Sequence, residues 1–309
     1  MNLDFIGKRA TFYLISSIVI LASLGLIGSK GLNLGIEFKS GSVFRLTFQE
    51  EVSADDVRKV LSLEKFRNFF KKYQVQQISD DDKMGGSGSE FFVTSDFIDG
   101  SSSEVAADRL VEAEFQKVYP SAKIHEFINI GAAIGDDLKI AAVYSIVFSI
   151  LVIILYITIR FEFQYSLVAI AALVHDVVFV LGIFALTQRE FSSSTIAAIL
   201  TIIGYSLNDT IVILDRIREN VKLLRKERFD NVVNTSINQS LSRTVNTSIT
   251  TLAPICILFF FGGTGVATFS FAMLLGVLVG TYSSICLASP LLVTWYNSKQ
   301  GQNQEAVQA

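Results

Sequence analysis

Asp209 lies in the run Thr201-Ile-Ile-Gly-Tyr-Ser-Leu-Asn-Asp-Thr-Ile-Val-Ile-Leu214, inside an apolar stretch that begins at Thr195 and is closed by Asp215-Arg216. The stretch holds about 20 residues, enough to cross ~30 Å of hydrocarbon as a helix. A carboxylate there costs about 2.5–3.5 kcal/mol on insertion scales, and such groups mark ion pathways or proton relays. The competing reading is an acid kept protonated, or one that only fixes helix contacts.

A partner for this carboxyl can be read from the next apolar segment, which opens with Ser242-Arg-Thr-Val-Asn-Thr-Ser-Ile-Thr-Thr251. If the two segments are antiparallel neighbours, Arg243 and the Thr247 region reach the depth of Asp209, about 8 Å from the end of its span at 1.5 Å per residue. Arg243, Thr247 and Thr251 are spaced i, i+4, i+8, which places them on one helical face. Burial favours a neutral acid and a guanidinium favours a carboxylate, so a group that cycles its proton needs the two opposed effects near balance. A static buried ion pair that sets helix register is the alternative. His175-Asp176 forms a second polar pair in mid-span, in Leu173-Val-His-Asp-Val-Val. Both residues are expected to face the bundle interior. No nucleophile or oxyanion site accompanies them, which removes a protease reading.

The elements that must hold these residues follow from charge and hydropathy. Half of the residues are hydrophobic and 25 of the 309 are Phe; the mean hydropathy is +0.47. Residues 30–138 carry 13 Lys/Arg and 19 Asp/Glu, 32 of the 55 charged residues, so the rest of the chain is nearly charge-free outside short clusters. That distribution implies one soluble domain set into a helical membrane protein. The net charge of −3 speaks against a nucleic-acid partner. Cys256 and Cys286 both fall in apolar spans and read as packing residues, with no disulfide framework or metal spacing.

Six spans are expected: Thr11–Gly28, Ile140–Ile159, Ser166–Leu186, Thr195–Leu214, Val245–Phe261 and Val266–Leu287. The first is read as a retained anchor, because Leu26-Ile-Gly-Ser-Lys30 is a poor cleavage site. Lys8, Arg9, Arg160, Arg216, Arg218, Lys222, Arg225, Lys226, Arg228 and Lys299 all fall on one side, against Arg189 on the other. By the positive-inside rule both termini are then cytoplasmic and residues 30–138 lie outside. Asp215–Arg228 reads as a separate charged amphipathic helix (215–230) on anionic headgroups, with Ile217, Val221 and Leu224 on one face. Residues 1–29 are the N-terminus with the first helix, 139–288 a five-helix bundle, and 289–309 a cytoplasmic tail. Gly204, Gly276 and Gly280 offer close helix contacts, the last two at small-xxx-small spacing.

Within 30–138, Val43–Phe48 alternates with period two. Ser53 caps a helix toward Phe70, with Asp55 and Asp56 in its first turn. Gln74–Ile78 and Glu90–Thr94 read as strands around the solvated turn 80–88, Ser103–Tyr119 as a helix ending before Pro120, and Lys123–Ile128 as a last strand. The order β-α-β-β-α-β predicts a ferredoxin-like α+β domain. It contains no nucleophile–base pair or metal cluster, and His125 stands alone on a strand surface. A binding or spacing module is expected. The fold class is therefore a polytopic α-helical membrane protein, with six transmembrane helices and one extracytoplasmic α+β domain between helices 1 and 2.

Leu200–Asn220 resembles the fourth-span signature on the SecF side of the SecD/SecF family of protein-export membrane subunits. Arg243–Thr251 with Phe259-Phe-Phe-Gly262-Gly263 resembles the fifth-span signature, and Ala172-Leu-Val-His175-Asp176-Val the third. Gly35-Ile-Glu-Phe-Lys-Ser-Gly41 resembles the motif after the first span, with Glu37, Lys39 and Ser40 where the family form has Asp, Thr and Gly. The resemblance covers nearly the whole chain. It implies a non-enzymatic transport subunit of a proton-driven machine related to resistance-nodulation-division transporters, in the bacterial cytoplasmic (inner) membrane. It also implies a six-span SecD partner, the SecYEG channel, an exported polypeptide and accessory contacts with YajC and YidC. No cofactor other than the coupling proton is implied. By position in the motifs, Asp209 carries the proton, Arg243 is its charged partner, and Asn208, Thr247 and Ser248 support them. Two other function classes compete: a passive assembly scaffold, and an exporter of small molecules or lipids.

Overall fold

A computed structural model of the chain describes residues 3–64, 73–78, 88–95, 104–160 and 163–308. The chain divides into two compact units, Leu34–Val143 and Met1–Asn33 with Tyr144–Ala309.

In the first unit, a short helix α2 (Ile36–Lys39) leads into β1 (Gly41–Thr47), α3 (Ala54–Leu61), β2 (Tyr73–Gln77), β3 (Glu90–Ser95), α4 (Glu104–Val118) and β4 (Lys123–Ile130). The four strands form an antiparallel sheet in the order β2-β3-β1-β4. The alternation in β1 sends Phe44 and Leu46 into a core shared with Phe91, Val93, Val57, Leu61, Val111 and Phe115. Each such side chain contributes about 1.5–3 kcal/mol on burial. The opposite face of β1 is not plain surface. Arg45 is 7% exposed and Glu90 3%, and the Arg45 Nε donates to Glu90 Oε2 at 3.1 Å. Ser53 caps α3 by accepting from the Asp56 amide at 3.2 Å. The Ser53 hydroxyl and Lys59 hold the Asp56 carboxyl below the usual range. Residues 65–72, toward Phe70, and 80–87 of the acidic turn lie outside the described residues.

Gly41 is required by close approach, since a Cβ there would come within 2.7 Å of the Ser95 carbonyl oxygen. The preceding Ser40 adopts φ 61°, ψ 147°, a region that only glycine enters freely. Holding a side chain there costs on the order of 1–3 kcal/mol.

Among the described residues of the chain, six helices are long and apolar enough to cross a membrane. They are α1 (Arg9–Lys30), α5 (Ala132–Arg160), α6 (Phe163–Thr187), α7 (Ser193–Leu223), α8 (Phe229–Phe261) and Gly265–Ser298. The last joins α9 (Thr264–Ser283) to α10 (Ser289–Gln308) through a π-helical turn at Ser284–Ala288. In the membrane-spanning unit α7 packs along α9, α8 and α6, and α1 runs along α6. Gly182 lets that last pair close, because a Cβ on it would come within 2.7 Å of Ser23 Cα.

Two expected boundaries are corrected. Residues 215–230 are not a separate amphipathic helix: α7 runs unbroken to Leu223 and α8 begins at Phe229. Ile217 of the expected stripe is buried inside the bundle, and polar bonds between helices add to its hold. Asn220 is buried and donates to Ser236 Oγ at 2.8 Å and Gln239 Oε1 at 2.7 Å, while Val221 is 39% exposed. Residues 289–309 do not begin as a tail, since α10 continues the sixth helix and buries Leu292 and Val293. Ahead of α1, Leu3–Ile6 is strapped to α8: the amides of Leu3 and Phe5 donate to the side-chain oxygens of Asn238 and Asn234 at 2.8 and 2.9 Å.

Ser40→Gly should relieve the backbone strain before β1 by about 1 kcal/mol. Amide hydrogen exchange in β1 and β3 should slow roughly fivefold; unchanged rates would show that Ser40 carries no strain.

Candidate functional site

The site is built on one turn of α7 and one turn of α8. Asp209 is 2% exposed, in the middle of α7. Its Oδ2 has no hydrogen-bond partner among the described residues. The Thr247 hydroxyl and the Arg243 guanidinium on α8 are the polar groups within electrostatic reach of the carboxyl. Arg243 and Thr247 stand one helical turn apart, so a straight helix aims both at the same neighbour. The Thr247 hydroxyl donates within α8, to the Arg243 carbonyl at 3.1 Å and the Thr244 carbonyl at 2.8 Å. Its single hydrogen is shared among these two carbonyls and the Asp209 carboxylate.

Of the residues expected to work together, the structure brings together Asp209, Arg243 and Thr247. Asn208 points away, onto an exposed face of α7 that also carries Ala197, Thr201 and Gly204. Gly204 is not a contact within this chain, because a Cβ on it would meet nothing within 4 Å. Ser248 is buried on another side of α8, where its hydroxyl meets Thr281 Oγ1 at 2.7 Å and the Thr244 carbonyl at 2.8 Å. Gly262 and Gly263 form the α8–α9 turn. Gly263 has φ 73°, ψ 174°, and a Cβ on Gly262 would run into the Leu258 carbonyl. Gly35 caps α2 and Gly41 opens β1, both in the unit 34–143.

His175 and Asp176 face the bundle interior, 5% and 1% exposed. Asp176 Oδ1 meets His175 Nδ1 at 3.1 Å, and Oδ2 accepts from Ser206 of α7 at 2.6 Å and Ser283 of α9 at 2.8 Å. Beside them, Thr210 and Ser284 share a hydrogen bond of 2.8 Å. Sequence reasoning missed these four hydroxyl residues. The signal that could have found them is the continuation of the glycine stripe: Gly276, Gly280 and Ser284 fall at i, i+4, i+8. Gly280 packs on Ser206 and Gly276 on Ile202, so the small face of α9 is the surface against which α7 is seated.

Gly276→Leu should force α7 from α9 and cost about 1–3 kcal/mol, read as a lower thermal unfolding midpoint of the purified chain. Gly204→Leu should leave that midpoint unchanged. Equal losses in the two would contradict the described packing.

Comparison with known proteins places this arrangement. Residues 110–298 match the family model for the C-terminal part of the protein export membrane protein SecD/SecF, and residues 25–52 match the SecD/SecF GG motif. The protein translocase subunit SecF of Petrotoga mobilis is 36% identical over 296 residues, covering 94% of this chain and 95% of its own. That of Rhodothermus marinus is 39% identical over 300 residues, covering 94% and 92%. The protein translocase subunit SecDF of Thermus thermophilus is 37% identical over 301 residues, which cover 97% of this chain and 39% of that protein. A crystal structure of SecDF, described as a translocon-associated membrane protein from Thermus, aligns over 96% of this chain with a TM-score of 0.81 and 36% identity. This chain spans 39% of the length of that structure. By these matches the chain belongs to the SecD/SecF family of protein export membrane proteins.

Proposed function

We propose that this multi-pass membrane protein is an accessory subunit of the Sec protein translocase that couples proton flow to late steps of export. The observation that carries the reading is Asp209: a carboxyl buried in a membrane helix, with one oxygen unpartnered and a guanidinium from the next helix beside it. With the carboxyl ionised, it and Arg243 neutralise each other. Proton uptake removes that balance and leaves a net positive charge in hydrocarbon, which is expensive. The bundle lowers this cost by rearranging, and that converts a protonation step into helix movement.

A six-span SecD-type half is the partner. Thr201, Gly204 and Asn208 on α7, with Arg243, Asn246 and Thr250 on α8, form an exposed face that is small and polar. Lipid tails solvate such a face poorly, whereas a second bundle can bury it and pair its polar groups. The length comparison supports this, since this chain corresponds to two-fifths of the Thermus SecDF protein. On this reading residues 30–138 lie outside the inner membrane, where they meet the polypeptide leaving the SecYEG channel. Both termini are cytoplasmic, as the Lys/Arg distribution suggests. YajC and YidC are further candidates for contact, and the proton is the coupling ion.

Asp209→Asn should insert and assemble normally but abolish proton-dependent stimulation of export in vesicles; full stimulation would remove Asp209 from the coupling. Gly204→Leu should weaken co-purification with the SecD-type half, and wild-type recovery would place the interface elsewhere.

A further inference from the structure

The proposed coupling at Asp209 leaves the most buried acid of the bundle without a task. Asp176 sits where α6, α7 and α9 meet, and each of its oxygens is occupied. Oδ1 faces His175 Nδ1 at 3.1 Å, and Oδ2 receives the Ser206 and Ser283 hydroxyls at 2.6 and 2.8 Å. The other ring nitrogen, His175 Nε2, is buried and has no hydrogen-bond partner among the described residues. It belongs to a ring that lines an apolar groove of about 290 Å³ with Ile15, Val19, Phe179, Leu278 and Tyr282. Tyr282 of that lining turns its hydroxyl to α1, near Ser16 Oγ at 3.2 Å and the Phe12 carbonyl at 3.3 Å.

We propose that His175 and Asp176 form a second protonation centre, separate from Asp209, in which a proton is relayed across the imidazole ring. In the charged state Nδ1–H donates to the carboxylate and Nε2 is bare. A hydronium ion that reaches Nε2 gives up a proton to form the Nε2–H bond and leaves as water. The Nδ1–H bond then breaks with its electron pair left on nitrogen, and an O–H bond forms on Asp176 Oδ1 and donates back to Nδ1. The pair passes from charge −1 to 0. Throughout, Oδ2 keeps both serine donors, so the junction of three helices holds in either state. A site whose hydrogen-bond frame is indifferent to its own protonation is suited to holding a proton inside hydrocarbon, where an uncompensated charge is costly.

Tyr282 of α9 is the titratable side chain seen against the pair, its ring centroid 6.3 Å from that of His175; Tyr205 and Asp209 are carried by the same helix as Ser206, Cys286 by the π-helical turn that follows Ser283, and Arg243 of α8 faces Asp209. Asp209 stands one turn from Ser206 on the same helix. The π-helical turn begins at Ser284, next to Ser283, and such turns recur at functional sites in helices.

The test follows protons rather than export, so its failure and that of the proposed function are distinguishable. Infrared difference spectra of the full chain in lipid vesicles, between alkaline and acidic pH, should contain two protonated-carboxyl bands from buried acids. Asp209→Asn should retain one of them. Asp176→Asn, whose amide oxygen still accepts from the serines, should remove that band while helicity by circular dichroism stays at the wild-type level. In the Asp209→Asn background, Ser206→Ala and Ser283→Ala should each move the remaining band to higher frequency. His175→Phe in that background should slow its response to a pH jump about a hundredfold, the lower end for positioned proton transfer. A band-free Asp209→Asn spectrum, or one unmoved by either serine substitution, would overturn the centre even if Asp176→Asn failed to fold. An unchanged rate with His175→Phe would overturn the relay.

Discussion

Hydrocarbon offers a polar side chain no water, so each one placed in a span must find its partner within the protein, on its own helix or a neighbouring one. That requirement organises the membrane-spanning unit around α7. Ser206 and Thr210 on one side of this helix bond Asp176 of α6 and Ser284 of the π-helical turn. Ser248 of α8 reaches Thr281 of α9, and Tyr13 of α1 reaches Thr294 of α10 at 2.8 Å. The bonds of Ser206 and Thr210 lie where Gly276 and Gly280 let α9 pack close against α7. Small residues set the helix spacing, and the spacing makes the polar pairs possible. Neither would serve without the other.

Against that background the exceptions carry meaning. Asp209 is buried with an unpartnered oxygen, and Arg243 beside it stays on an open face of the chain. A bundle that satisfies its other buried acid, Asp176, three times over has left this one incomplete. Local rules are broken where function requires it, and here the break coincides with the polar face proposed to receive a second bundle.

Much of this was legible beforehand because hydrocarbon makes membrane sequences nearly binary. The six apolar runs, the charged unit and the depth match between Asp209 and Arg243 all follow from spacing. The first strand and the helix after it were readable because period two in Val43–Phe48 and the Ser53 cap are local signals. Helix ends were not. Asn220, Ser236 and Gln239 look like loop residues until two helices are seen to run on together past the apolar zone and bond through them. The direction of Gly204 was equally hidden, since a glycine marks close packing without saying whether the neighbour belongs to the same chain. Ser206 and Ser283 were passed over because a single serine in an apolar helix commonly bonds its own backbone; only the position of Asp176 between them gives both a purpose.

The unbroken course of α7 has a mechanical consequence. A helix that ended at Leu214 would confine any change at Asp209 to the membrane. Instead the same rigid rod continues to Leu223, fourteen residues past the carboxyl, which is about 21 Å at 1.5 Å per residue. A tilt of ~10° pivoting at Asp209 carries the charged tip sideways by about 4 Å. Through Asn220 that displacement is handed to α8, and through Asn234 and Asn238 to the strapped N-terminus. A tilt centred on Asp209 would thus be felt beyond the apolar zone, at the far end of the same helix.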